Sequence, residues 1–368
     1  MFYYKNIFMY STLQYTGNGE EYFSKHTEKL VSFVVNPRLK NRGNAIRLYK
    51  RGKLVGEKKI QLSENIFLYY LRWYITHIWI LQKYFSENEK IVVITFHPIA
   101  LFGIRIQKLF RRVIFAYWVG DYFPPVSIVL RLYEQMKRYY NKKVDYGYYL
   151  SDTINRKMNG ELLDTYNRKT VMWSIIPKNI KRSLYTDRFT MLFVGVIKKN
   201  QGLEQIFDFL KLHKQYAIKI VGYCDDIAYK DFRKMIERNN IEEQVYFPNA
   251  FLLDKDLEIL SKDCQVGIAL YNTAKTGSTY YTDPGKVKTY AQFGLPIIMS
   301  DIPTVSKYIK QFKCGEIIGD DGKELGQALV KMKGKYISYK NGLKKFNSFF
   351  YYDTYFKKSF KNLEAVWK

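Results

Sequence analysis

Short apolar runs alternate with stretches of helical periodicity along most of the chain. The rhythm is plainest in the second half. Residues 190–195 (TMLFVG), 217–222 (AIKIVG), 266–271 (VGIALY) and 296–300 (PIIMS) read as buried strands, and 245–248 as a strand end. Compact apolar runs bounded by turn residues fit strands covered on both faces. Between them, residues 203–214, 228–239, 253–261 and 284–293 carry apolar positions at helical spacing. Strands alternating with helices predict a doubly wound parallel sheet.

The first half repeats the pattern less cleanly. Strands are expected at 6–10, 91–96, 113–119 and 146–150, with a pair of polar strands across 45–61. Helices are expected at 20–31, 101–112 and 126–140, the last basic and amphipathic. Ser151 and Asp152 follow a strand and read as a helix N-cap. The fold class is therefore α/β, with two Rossmann-like doubly wound domains. The junction falls in 176–187, which holds a proline, several charges and no strong periodicity. This gives an N-terminal domain over 1–178, a C-terminal domain over 179–345, and a C-terminal helix over 346–368 that can pack back on the first domain.

Length and composition agree. A chain of 368 residues suits two cores, and 47% apolar residues can fill them. Three cysteines, Cys224, Cys264 and Cys314, form no disulfide or zinc pattern and point to a reducing compartment. Four histidines argue against a histidine-rich metal centre. The opening residues read as a first strand, not a signal peptide. The most apolar segment, 66–81 (IFLYYLRWYITHIWIL), is broken by Arg72 and His77. It is shorter than the ~20 residues a spanning helix needs. It reads as a buried domain helix, with an interfacial membrane helix as the alternative.

Net charge is +26, of which residues 1–170 carry +15 and residues 171–368 carry +11. Such a field attracts nucleic acid, anionic lipid or nucleotide phosphates. Abundant Lys, Tyr, Asn and Ile give a purely compositional explanation as well. No nucleic-acid-binding motif is present, and the basic residues do not gather on one element, so no nucleic-acid partner is expected.

Residues 281–296 (YTDPGKVKTYAQFGLP) carry the strongest chemical signal. Asp283 is suited to N-cap a helix with Pro284 at its first position, and Gly294 to close it. The helix begins at the C-terminal edge of a sheet, where ligands bind in open α/β folds. The helix dipole and the backbone at Asp283, Pro284 and Gly285, whose free N–H groups come from the residues other than the proline, suit a phosphate there, aided by Lys286. An ordinary well-capped βαβ helix is the alternative.

This stretch resembles the donor-binding motif of GT-B glycosyltransferases, in the broad group of bacterial polysaccharide and glycolipid transferases. The pattern there is DP-x-K-x-x-E-Y-x-A-x-G-x-P. Asp283, Pro284, Lys286, Tyr290, Gly294 and Pro296 match it, and Thr289 stands where a glutamate contacts the ribose. The resemblance implies that this helix holds the donor diphosphate. It extends to a loop where Gly195 and Gly202 match, Val196 and Gln201 replace the usual Arg and Lys, and Lys198 or Lys199 is left to reach the phosphates. Gly222, closing the next strand, joins the implied donor-binding set.

In the first half, Asn18 and Gly19 stand where the family has a Gly-rich loop near the sugar. A plain turn is the alternative. Asp121, in WVGDYFP, stands where related transferases line the cleft, and is the candidate catalytic base. His97 closes a strand at the same edge. The resemblance implies a glycosyltransferase of two domains facing across a cleft. A nucleotide sugar would be the co-substrate and a glycan or lipid-linked sugar the acceptor, with no cofactor or metal. A non-catalytic partner subunit or a sugar-nucleotide epimerase on the same fold is the alternative. The expected location is the cytoplasm, with attachment to an anionic membrane surface through the first domain and 126–140.

Overall fold

The computed structural model describes residues 2–11, 18–35, 43–180, 187–198, 201–250, 252, 254–271, 277–319 and 321–368. The chain forms two compact units. Unit 1 is Met1–Ser174 with Tyr352–Lys368, and unit 2 is Ile175–Tyr351.

Unit 1 is built on eight strands: β1 Tyr4–Ser11, β2 Thr27–Val34, β3 Ala45–Lys50, β4 Lys53–Lys59, β5 Ile91–Thr95, β6 Val113–Val119, β7 Tyr146–Tyr149 and β8 Arg168–Thr170. Their order is β4-β3-β2-β1-β5-β6-β7-β8. All neighbours pair in parallel except β2–β3 and β3–β4. The helices are α1 Gly19–His26, α2 Ile66–Tyr84, α3 Ile104–Phe110, α4 Ile128–Asn141 and α5 Asp152–Asn159. Ser151 caps α5, accepting the Ile154 N–H at 3.0 Å.

Two expected helices are corrected. The helix expected over 20–31 ends at His26, and Thr27 is extended. Leu30, Val31, Phe33 and Val34 are buried in β2, between β1 and β3. Pairing on both sides overrides a local apolar spacing that also fits a helix. The helix expected over 101–112 is a 3₁₀ turn, Pro98–Leu101, followed by α3, with Gly103 at φ 64° between them.

The polarity of α4 is inverted. Its inner face buries Glu134, Lys137, Tyr140 and Asn141. Its outer stripe of Ile128, Val129, Leu132, Met136 and Tyr139 is exposed. Lys137, one of the basic residues of this helix, is inside. α3 does the same, burying Gln107 while Ile106, Leu109 and Phe110 face out. α2, read from sequence as a buried domain helix, is buried on one face only. Tyr69, Trp73, His77, Ile80 and Leu81 face in, but Ile66, Phe67, Leu71 and Ile75 are exposed.

Unit 2 has a fully parallel sheet, β11-β10-β9-β12-β13-β14. Its strands are β9 Phe189–Val194, β10 Tyr216–Val221, β11 Val245–Tyr246, β12 Val266–Ala269, β13 Ile297–Ser300 and β14 Gly315–Ile318. The helices are α6 Leu203–Leu212, α7 Asp226–Arg238, α8 Asp254–Leu260, α9 Gly285–Gln292, α10 Pro303–Phe312, α11 Leu325–Gly334 and α12 Tyr336–Phe349. Met191, Phe193, Ile218, Ile220 and Ile268 from the strands pack with Leu203, Phe207, Phe232 and Leu329 from the helices. The strand order reverses between β9 and β12, which makes that edge the topological switch point.

After α12 the chain returns to unit 1 as α13 Tyr352–Ser359 and α14 Lys361–Glu364. Phe356 and Phe360 pack against Tyr22 and Trp118. The Lys25 ammonium donates to the Tyr352 hydroxyl at 2.6 Å. All three cysteines are buried, and none forms a disulfide.

Candidate functional site

The switch point of unit 2 is held open by one side chain. β9 and β12 pair only at Val266–Met191 and Gly267–Leu192. Beyond that the Tyr290 hydroxyl bridges the gap, accepting from the Val194 N–H at 3.0 Å and donating to the Ile268 carbonyl at 2.7 Å. Gly267 makes room for its ring, since a Cβ there would lie 2.2 Å from Tyr290. One backbone group of each strand is thus satisfied by Tyr290 where β9 and β12 no longer pair.

Lys286 lies in the first turn of α9, beside these strand ends. Its ammonium sits 3.9 Å from the Phe193 ring centre and 4.8 Å from that of Tyr271. The side chain approaches Gly195, where a Cβ would meet its Cε at 3.6 Å. Lys286 is only 9% exposed, and its Nζ has no hydrogen-bond partner among the described residues. Burial pulls its pKa down to about 7. A buried, unpaired ammonium is costly, and aromatic faces offset only part of that cost.

The rest of the donor set takes defined places. Gly195 has φ 130°, and Gly222 lies so close that a Cβ on it would reach the Gly195 carbonyl oxygen. These two glycines let the β9 and β10 loops meet at the edge. Thr289, half-buried, donates back to the Gly285 carbonyl at 3.3 Å. Lys198 is exposed, and Lys199 lies outside the described residues.

Contrary to the expectation from sequence, Asp283 does not cap α9. Pro284 occupies the N-cap position, with no side-chain cap. Asp283 is instead buried and accepts from Lys288 Nζ at 3.1 Å. Lys288 in turn stands 3.8 Å from the Phe350 ring centre. A carboxylate paired with Lys288 opposes an anion at the α9 N-terminus less than an unpaired one would.

In unit 1 the candidates lie at the ends of β5 and β6. His97 Nδ1 accepts the Ile99 N–H at 3.2 Å, which places the neutral ring's proton on Nε2. Its ring packs against Tyr70, Trp73 and Tyr133. Burial, then the Lys137 charge, hold its pKa down at about 4, so it is neutral at physiological pH. Asp121 is exposed, and its backbone carbonyl accepts from Lys137 Nζ at 2.5 Å. His97 and Asp121 thus both lie within electrostatic reach of one buried ammonium.

Asn18 and Gly19 take packing duties. Asn18 is left-handed, φ 65°, and its amide donates to the Ser174 carbonyl at 3.1 Å. A Cβ on Gly19 would press on Met9 at 2.9 Å.

Sequence reasoning missed the Glu134–Lys137 pair and the bridge made by Tyr290. The charged pair at i and i+3, on the helix face opposite the apolar stripe, was the available signal for the first. Among the described residues, no group of His, Cys, Asp and Glu is arranged to hold a metal, and no helix is long and apolar enough to cross a membrane.

No protein-family model matches the sequence, and no curated protein resembles it in sequence. Solved structures do resemble it. Sucrose-phosphate synthase from Thermosynechococcus elongatus superposes with a TM-score of 0.72 at 13% identity, covering 98% of this chain and 100% of that one. HepE from Anabaena, in complex with UDP, gives 0.67 at 11% identity over 98% and 100% of the two chains. The lipopolysaccharide outer core galactosyltransferase WaaB gives 0.64 at 17% identity over 98% and 99%. By its two Rossmann-like units and these likenesses, the chain has the GT-B fold of glycosyltransferases.

Proposed function

We propose that this protein is a glycosyltransferase that moves a sugar from a nucleotide-sugar donor to a glycan or lipid-linked acceptor, in cell-surface polysaccharide or glycolipid assembly. The observation that carries the reading is Lys286, a buried ammonium without a hydrogen-bond partner among the described residues, beside the strand ends at the switch point. A donor diphosphate would supply the missing anion, together with the N–H groups at the start of α9. HepE, of the same fold, was solved with UDP. Asp121 of unit 1 serves as the base that takes the acceptor hydroxyl proton, with neutral His97 near it.

The acceptor side also suits a membrane surface. α2, α3 and α4 expose apolar residues on unit 1 beside Arg72, Arg105, Arg112, Arg131 and Arg138. Tyr74 on α2 and Gln107 on α3 both donate to the Phe102 carbonyl, at 3.1 Å and 2.7 Å, which ties the two helices to one patch. Attachment to the anionic inner face of the membrane by charge and shallow insertion is part of the proposal.

The test is a thermal-shift screen against UDP-, GDP-, CMP- and dTDP-sugars, followed by assay of nucleotide release with and without acceptor. One donor class should raise the melting temperature by mass action and be consumed when acceptor is added. If no nucleotide sugar binds, the proposal fails. Binding without release would assign the chain to a non-catalytic role.

A further inference from the structure

The inverted helix α4 carries an ion pair where burial alone favours apolar residues. Glu134 Oε1 accepts from Lys137 Nζ at 2.8 Å, and both side chains are nearly inaccessible. Each also reaches the backbone that leaves β6. Lys137 Nζ donates to the Asp121 carbonyl at 2.5 Å, and Glu134 Oε1 accepts the Phe123 N–H at 3.0 Å. The pair therefore grips the chain on both sides of Tyr122. The Lys137 ammonium also lies over the Phe123 and Tyr133 rings, at 5.7 Å and 5.5 Å from their centres.

We propose that the Glu134–Lys137 pair is a positioning device, which fixes the loop at Asp121–Phe123 so that the Asp121 carboxylate stands where the acceptor hydroxyl is deprotonated. This rests on the reading of Asp121 given above. Stability alone does not account for the pair. Buried ion pairs are often matched or bettered by apolar residues of similar volume, because desolvation cancels the attraction. The same helix places Ile128, Leu132 and Met136 in solvent while keeping two charges inside. What the charges gain there is a hold on two backbone groups of one loop. A carboxylate acting as a base needs such a hold, since a displacement of about 1 Å can cost roughly a hundredfold in rate.

The test compares Glu134→Leu/Lys137→Met, which removes both charges together, with Asp121→Asn and with the triple combination. The double variant should fold, show a turnover lowered about a hundredfold, and keep the donor KM of the parent. Asp121→Asn should cost far less in the double variant than in the parent, because the two changes act on one group. A purely structural pair would leave that coupling at zero. If the double variant does not fold, near-isosteric Glu134→Gln replaces it, with the same coupling expected. A folded variant with turnover within about threefold of the parent, or an undiminished Asp121→Asn effect, overturns the device while leaving Asp121 as the base. Full turnover in Asp121→Asn overturns both.

Discussion

The Lys286 ammonium lies 3.9 Å from the centre of the Phe193 ring, near the end of β9. Among the described residues this charge meets aromatic faces and no hydrogen-bond partner. Replacing it should therefore act in opposite directions on the two states. Lys286→Met should raise the melting temperature of the free protein, because it removes a buried unpaired charge. The same change should weaken nucleotide-sugar binding by ~1.5–3 kcal/mol, the range of a charge-assisted hydrogen bond. Calorimetry on the folded variant measures both. Unchanged donor affinity would remove Lys286 from the site.

The pKa of Lys286 gives a pH dependence with a definite sign. Burial lowers it from 10.5 to about 7. Between those values the unfolded chain holds a proton that the folded chain has released, so this group makes stability rise with pH across that window. Below about 7 both states are protonated and the full cost of the buried charge is present. A bound diphosphate favours the ammonium. Donor binding at about pH 8 should then take up a proton, and affinity should fall as pH rises through the folded pKa. Binding enthalpies in buffers of different ionisation heat measure the uptake. Zero uptake in the parent would refute the assignment.

Asp283 and Lys288 should behave as a structural pair. Asp283→Asn leaves the Lys288 charge buried without its counter-ion and should cost ~3–5 kcal/mol in urea unfolding. Asp283→Asn/Lys288→Met should recover most of that loss. If Asp283→Asn is as stable as the parent yet binds donor poorly, the aspartate acts on the ligand and not on Lys288.

The apolar face of unit 1 should bind anionic vesicles. Leu109 and Phe110 are 82% and 78% exposed, and Ile128 and Val129 are 74% and 75% exposed. Co-sedimentation should appear with anionic lipid at low salt and fall with neutral lipid or added salt. Leu109→Ser/Phe110→Ser should weaken it about tenfold, given ~1.5–3 kcal/mol for each fully buried large apolar side chain and only shallow insertion here. Turnover on a soluble acceptor should stay unchanged. Protein that remains in the supernatant with anionic vesicles at low salt would refute the membrane reading.

The strands at Phe189–Val194, Ile91–Thr95 and Val113–Val119 are legible in the sequence because each is a compact apolar run, a property the chain carries locally. The start of α9 beside Gly195 and Lys286 is legible for the same reason: turn residues, glycines and a strand end mark a sheet edge wherever they occur. Three matters were decided only in three dimensions. Residues 27–34 left the expected helix because β1 and β3 offer hydrogen bonds on both sides. Asp283 gave up the cap because Lys288, buried against Phe350, needed a counter-ion. α4 turned its charged pair inward and its apolar stripe outward, although helical periodicity alone assigns the faces the other way. Periodicity fixes which residues share a face. Which face points inward depends on the groups that wait there, and for α4 these are the backbone carbonyl of Asp121 and the N–H of Phe123.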